Sequence, residues 1–247
     1  MKNYSISLVF IGLLFIASCT STRVIQKNIN SDSYSLGYLK DSKISKEKLD
    51  FNVSIDSVLL NAALMNDTTK VTKLKGWFIP LVVVNIWNSQ NECIQGKSMF
   101  EENVPTFLRT SLIEEINRSG NFNYDSLDNS EYQIEISIDE IKTQGPYESK
   151  GFFYFAFFVY GYSYADIAGP AISNLEVTYK LKKGKSVLKS NSFSSEKITE
   201  QINKRYTNNK ILQQDYAISM VEAVSYNFKN VIELIIADLN DYFEKEK

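Results

Sequence analysis

Apolar positions along the chain recur at two spacings. Phe51, Val53 and Ile55 alternate with Asn52, Ser54 and Asp56 and lead into Val58, Leu59 and Leu60, which predicts a half-buried strand. Residues 61–75 are mostly polar and read as a loop, and residues 77–87 are a nearly continuous apolar run broken by Pro80 and Asn85. That run is either a second strand or an apolar loop, and Pro80 argues against a central strand. Asn103 as a cap, Pro105 in the first turn and Val104, Phe107, Leu108, Leu112 and Ile116 at helical spacing predict a helix that stops at Gly120. Tyr132, Ile134, Ile136 and Ile138 alternate with polar residues, as do Leu175, Val177, Tyr179 and Leu181. Each set predicts a strand with one wet face. Lys183-Gly184 turns the second of these into residues 187–193, a hairpin. From residue 211 to 243 a stripe at 3.6 spacing, including Ala217, Val224, Phe228, Val231, Ile235 and Leu239, predicts one long helix laid across a sheet, with a coiled-coil helix as the alternative. The expected fold class is α+β: a small, mostly antiparallel sheet packed by one mid-chain helix and a long C-terminal amphipathic helix, in a single domain over residues 49–247.

One segment breaks the alternation. Between residues 152 and 164 nine of thirteen side chains are aromatic, and residues 151–165 carry no charge. At fifteen residues the run falls short of the roughly 20 that a spanning helix needs. It is either a core strand or helix facing residues 77–87, or an exposed interface for a partner protein or a lipid surface. The candidate docking or ligand surface is Trp77, Trp87, Phe152, Phe153, Phe155, Phe157, Phe158 and Tyr160.

The N-terminus sets the compartment. Met1-Lys2-Asn3 is a short basic leader, residues 5–17 are uncharged and mostly apolar, and Ile16-Ala17-Ser18 precede Cys19. This is the layout of a secretory signal, and the run resembles the bacterial lipobox. The resemblance implies diacylglycerol on the Cys19 thiol, cleavage after residue 18 and acylation of the new amino group, so that two or three chains hold the protein stably. Thr20, where a retention signal would place Asp, favours the periplasmic face of the outer membrane. Residues 20–48, rich in Ser, Thr, Asn, Asp and Lys, are expected to form a flexible tether from that anchor.

Composition then removes chemistry. Of 247 residues none is His, and only Cys19 and Cys93 are Cys. No His-based triad or imidazole metal ligand can be built. With Cys19 acylated, Cys93 is the one remaining thiol, and burial is its expected fate. A net charge of −2 leaves no basic field for nucleic acid. Adjacent acids such as Glu101-Glu102 and Asp139-Glu140 diverge rather than converge on a cleft, and Glu114-Glu115 reads as a solvated helix face. No catalytic residue, metal ligand or cofactor other than the lipid on Cys19 is expected.

The stretch 104–112, then Ile116-Asn117-Arg118-Ser119-Gly120-Asn121-Phe122 and Glu131-Tyr132-Gln133-Ile134, resembles the auxiliary lipoproteins of ABC-type envelope transport systems and related small periplasmic lipoproteins. The matching positions are packing positions, so the resemblance implies fold and compartment rather than chemistry. Residues 76–87 and 151–165 exceed what a minimal domain of that kind needs. The functional expectation is a non-enzymatic lipoprotein that acts as an accessory or adaptor in envelope transport or assembly. Its partners would be the membrane, through the anchor, and an envelope protein. The alternative is a carrier that holds a lipid or other apolar molecule in a pocket.

Overall fold

The computed structural model describes residues 21–38, 47–81, 84–125, 130–156, 159–205 and 209–247. The described residues form α1 (Thr22–Ile29), β1 (Asn52–Leu60), β2 (Lys70–Leu81), β3 (Val84–Ile94), α2 (Val104–Ser119), β4 (Asn123–Tyr124), β5 (Tyr132–Ala156), β6 (Val159–Ala168), β7 (Ile172–Lys183), β8 (Ser186–Ile198), β9 (Ile202–Arg205) and α3 (Asn209–Lys245). The class is α+β, as the pattern predicts. At nine strands the sheet is larger than expected, and apart from the parallel pairings of β1 with β5 and β4 it is antiparallel.

β5 is the spine of this sheet. Its first half lies between β1 and β7 and its second half between β3 and β6, and Gln144 pairs with both Ile94 and Ile172 where the neighbours change over. Tyr132, Ile134, Ile136 and Ile138 point into the core. A bulge between Ile138 and Glu140 then inserts one residue, so the inward set becomes Ile141, Thr143, Gly145 and Tyr147. An extra residue in a strand exchanges its two faces.

α3 covers that inward face from end to end. Phe243 sits among Phe51, Phe122 and Tyr132, with ring centroids 4.9, 5.0 and 5.2 Å away. At the other end the Tyr216 ring lies over Gly145, where a Cβ would come within 2.5 Å of its hydroxyl oxygen. α2 is capped by Asn103, whose side chain accepts from the Thr106 N–H at 3.4 Å, and packs Leu108, Leu112 and Ile116 fully buried. In the β7–β8 hairpin Gly184 takes φ 57°, a turn conformation open to glycine.

Three readings need correction. Within the expected tether over 19–48, residues 21–38 belong to the folded body: Ser21 caps α1, and Ile25, Ile29 and Leu36 are buried. A four-residue spacing puts Ile25 and Ile29 on one helix face, and that face docks on β2 and α3. Lys48 is also held, donating to the carbonyls of Ile116 and Phe122 at 2.8 and 2.9 Å. Second, the loop over 61–75 contains the start of β2. Third, Glu115 is not solvated. It is 1% exposed and accepts from Arg118 twice at 2.7 Å, from Tyr38 at 2.6 Å and from Ser119. Burial alone would raise its pKa, but these donors outweigh burial and hold the carboxyl below its ordinary value.

Two outcomes follow. Ile25→Ala should lower the unfolding free energy by about 2–4 kcal/mol in urea titration, whereas a freely moving N-terminal segment would leave it unchanged. Because the folded-state pKa of Glu115 is depressed, its stabilisation is complete above the unfolded-state pKa and disappears as pH falls through the folded value. Wild-type stability should therefore decline in the acid range below the ordinary carboxylate pKa. Glu115→Gln, about 3 kcal/mol less stable at neutral pH, should show a flatter acid profile in the same titration.

Candidate functional site: a projecting double hairpin

β5 outruns the helix that covers it. Its 25 residues reach about 80 Å at roughly 3.3 Å each, while the 37 residues of α3 reach about 55 Å at roughly 1.5 Å each. The excess is the C-terminal end of β5, which continues as one arm of a four-stranded projection ordered β2–β3–β5–β6. Val84, Asn85 and Ile86 of β3 face Tyr154, Phe153 and Phe152 of β5, and these in turn face Gly161, Tyr162 and Ser163 of β6. β2 closes the other side, with Ile79 and Leu81 opposite Ile86 and Val84. The strand ends of the two hairpins, at Leu81 and Val84 in one and Ala156 and Val159 in the other, thus lie side by side.

Both faces of this projection are apolar and exposed. One carries Ile79, Leu81, Phe152, Tyr154 and Val159, the other Phe153, Phe155, Tyr160 and Tyr162, all between 38% and 67% exposed. Residues 76–91 and 151–165 contain no Asp, Glu, Lys or Arg. Charge returns at one level across the four strands: Lys75 on β2, Glu92 on β3, Glu148 and Lys150 on β5, and Asp166 on β6. The strand register places these residues within a few positions of one another.

A buried polar cluster anchors the root. Tyr147 donates to Asp166 at 2.6 Å, Gln213 donates to the Tyr147 hydroxyl at 2.9 Å, and Asn28 donates to Gln213 at 2.8 Å. One contact each from β5, β6, α3 and α1 ties the projection to the body. Burial, reinforced by the charge of Asp166, raises the Tyr147 pKa, so the phenol stays protonated as the donor. Cys93 is fully buried beside this cluster, and burial pushes its thiol up to about 12. It is an inert core residue, as expected.

The sequence-predicted surface is brought together. Trp77, Phe152, Phe153, Phe155 and Tyr160 are exposed on the projection and Trp87 is half-buried at its root. The reading of residues 151–165 as a core element facing 77–87 is corrected: the two segments are neighbours through strand pairing, and Phe152, Phe153, Tyr154, Phe155, Val159, Tyr160 and Tyr162 are exposed. Phe157, Phe158 and Cys19 lie outside the described residues. Sequence reasoning left out Ile79, Leu81 and Val159, although the uncharged run containing the first two was visible. It also left out the root cluster, whose members lie at unrelated positions with no shared spacing. The depressions near the projection are open grooves; the one between Trp77, Trp87, Phe152 and Tyr164 measures about 460 Å³. A larger groove, about 920 Å³, lies elsewhere, between α3 and residues 197–202. Among the described residues no cluster of acids or Cys is placed to hold a metal ion, and no helix is long and apolar enough to cross a membrane.

Fold and site together define an α+β chain that carries an uncharged, aromatic β-projection. No family model matches the sequence, and no curated protein does. Among solved structures the chain is similar to protein XCC0632 from Xanthomonas campestris, described as family DUF330, at 9% identity and a TM-score of 0.49. The likeness covers 87% of this chain and 100% of that one.

Because the exposed aromatics make few core contacts, Phe153→Ser with Phe155→Ser should change the unfolding free energy by less than about 1 kcal/mol. The same variant should lower binding of the apolar dye ANS, measured by fluorescence of the native protein.

Proposed function

We propose that this chain is a non-enzymatic, lipid-anchored accessory or adaptor of the bacterial cell envelope, acting in transport or assembly and docking through the β2–β3–β5–β6 projection. The anchor is an acylated Cys19, and the site of action is the periplasmic face of the outer membrane. The observation that carries the reading is the projection itself: two uncharged hairpins, exposed on both faces, beyond the end of the covering helix. Soluble proteins rarely leave an apolar patch of this extent in water without a use for it. The absence of His and the inert state of Cys93 support a binding role over chemistry. Carriage of an apolar ligand is the weaker reading, because the depressions that touch the aromatic residues are open rather than enclosed.

The test is site-specific photo-crosslinking in intact cells of the source organism. A photoreactive phenylalanine at position 155 or 160 should give adducts with envelope components, while the same group at exposed Leu188, away from the projection, should not. Adducts no more abundant at 155 and 160 than at 188 would sink the docking reading. In parallel, incorporation of labelled palmitate should vanish in Cys19→Ala, and label that persists in that variant would remove the anchor.

A further inference from the structure

We infer that the surface which covers the projection is a lipid bilayer, and that the two hairpin ends enter the headgroup–acyl boundary of one leaflet. The inference rests on the docking reading and names its partner. Two observations carry it. The first is two-sidedness. A protein partner laid against a sheet covers one face, but Phe152 and Tyr154 on one side and Phe153 and Phe155 on the other are exposed together. A lipid phase covers both at once.

The second is the level at which charge ends. Lys75, Glu92 and Lys150 stand on three different strands, yet the register brings them within four residue positions of one another, and beyond them none of the four strands carries Asp, Glu, Lys or Arg. A planar boundary between water and lipid imposes such a cut-off, and a groove on a protein does not. Tyr and Trp, which favour the interface, lie between these charges and the hairpin ends. From Lys150 to the end of β5 the strand runs about 20 Å at roughly 3.3 Å per residue, short of the 9–11 residues a spanning strand needs. The projection therefore dips into a leaflet instead of crossing it. β2 closes the sheet on one side of the projection.

The chain carries its own reporter, since its two Trp residues, Trp77 and Trp87, both lie on the projection. Full-length protein would be reconstituted into vesicles of phosphatidylethanolamine and phosphatidylglycerol, with and without phosphatidylcholine brominated along its acyl chains. Insertion predicts that bromines at shallow acyl positions quench Trp emission about twofold, with weaker quenching from deep positions, because the rings sit near the headgroups. Equal emission from brominated and unbrominated vesicles overturns the inference. Phe155→Asp with Tyr160→Asp should abolish the quenching while the protein stays vesicle-bound through its acylated Cys19; full quenching in a folded variant also overturns it. Should that variant fail to fold, the wild-type measurement decides alone. Protein adducts from positions 155 and 160 without bromine quenching would leave the docking reading standing and remove only the lipid.

Discussion

The structure depends on a mismatch between one strand and one helix. α3 packs along the inward face of β5 from Tyr132, where Phe243 closes the core, to Gly145, where Tyr216 lies over the missing Cβ. Side chains of the helix interior are buried along almost its whole length. The helix rises less than half as far per residue as the strand, so even 37 helical residues cannot cover 25 extended ones. Where the helix ends the sheet continues without a second layer. The body is an ordinary two-layer arrangement, and the projection is what remains when one layer runs out.

The bulge at residues 138–140 decides which side chains meet the helix in the second half of β5. Without it, Lys142, Gln144 and Glu148 would face the core and Ile141 and Tyr147 would face water. With it, the charged residues remain outside and the buried hydroxyl of Tyr147 can reach Asp166 and Gln213. The same shift puts Phe153 and Phe155 on the continuation of the covered face and Phe152 and Tyr154 on the continuation of the open one. Both faces of the projection are then aromatic, whichever the helix would have protected.

Charge is handled differently in the two parts of the molecule. In the body, two carboxylates are held by several donors each: the buried Glu115 by Arg118, Tyr38 and Ser119, and the partly buried Asp238 by Lys189, Asn191 and Tyr179. For Asp238, as for Glu115, burial opposes ionisation and the surrounding donors prevail. The projection has no charge to satisfy, and its polar atoms are phenols and amides. That division suits a body that stands in water and an element that leaves it.

Much of the fold could be read from spacing. The alternation at Tyr132–Ile138 and Leu175–Leu181, the cap and proline of α2, and the stripe of α3 each describe a local period that one burying surface enforces, and each element is present. Spacing also marked residues 151–165 as unusual, because fifteen uncharged residues dense in aromatic rings fit no half-buried pattern. It could not tell burial from exposure there, since aromatic strands look alike in a core and on a surface. It passed over α1, whose two inward residues, Ile25 and Ile29, are too few to show a period among polar neighbours. The sequence alone determined the class of fold, the two long helices, the poverty of reactive side chains and the uncharged segments. Only the tertiary structure decided that these segments stand side by side beyond the helix, because this depends on strand register and on where a helix that starts at Asn209, well beyond either segment in the chain, happens to begin. Neither leaves a trace in local spacing.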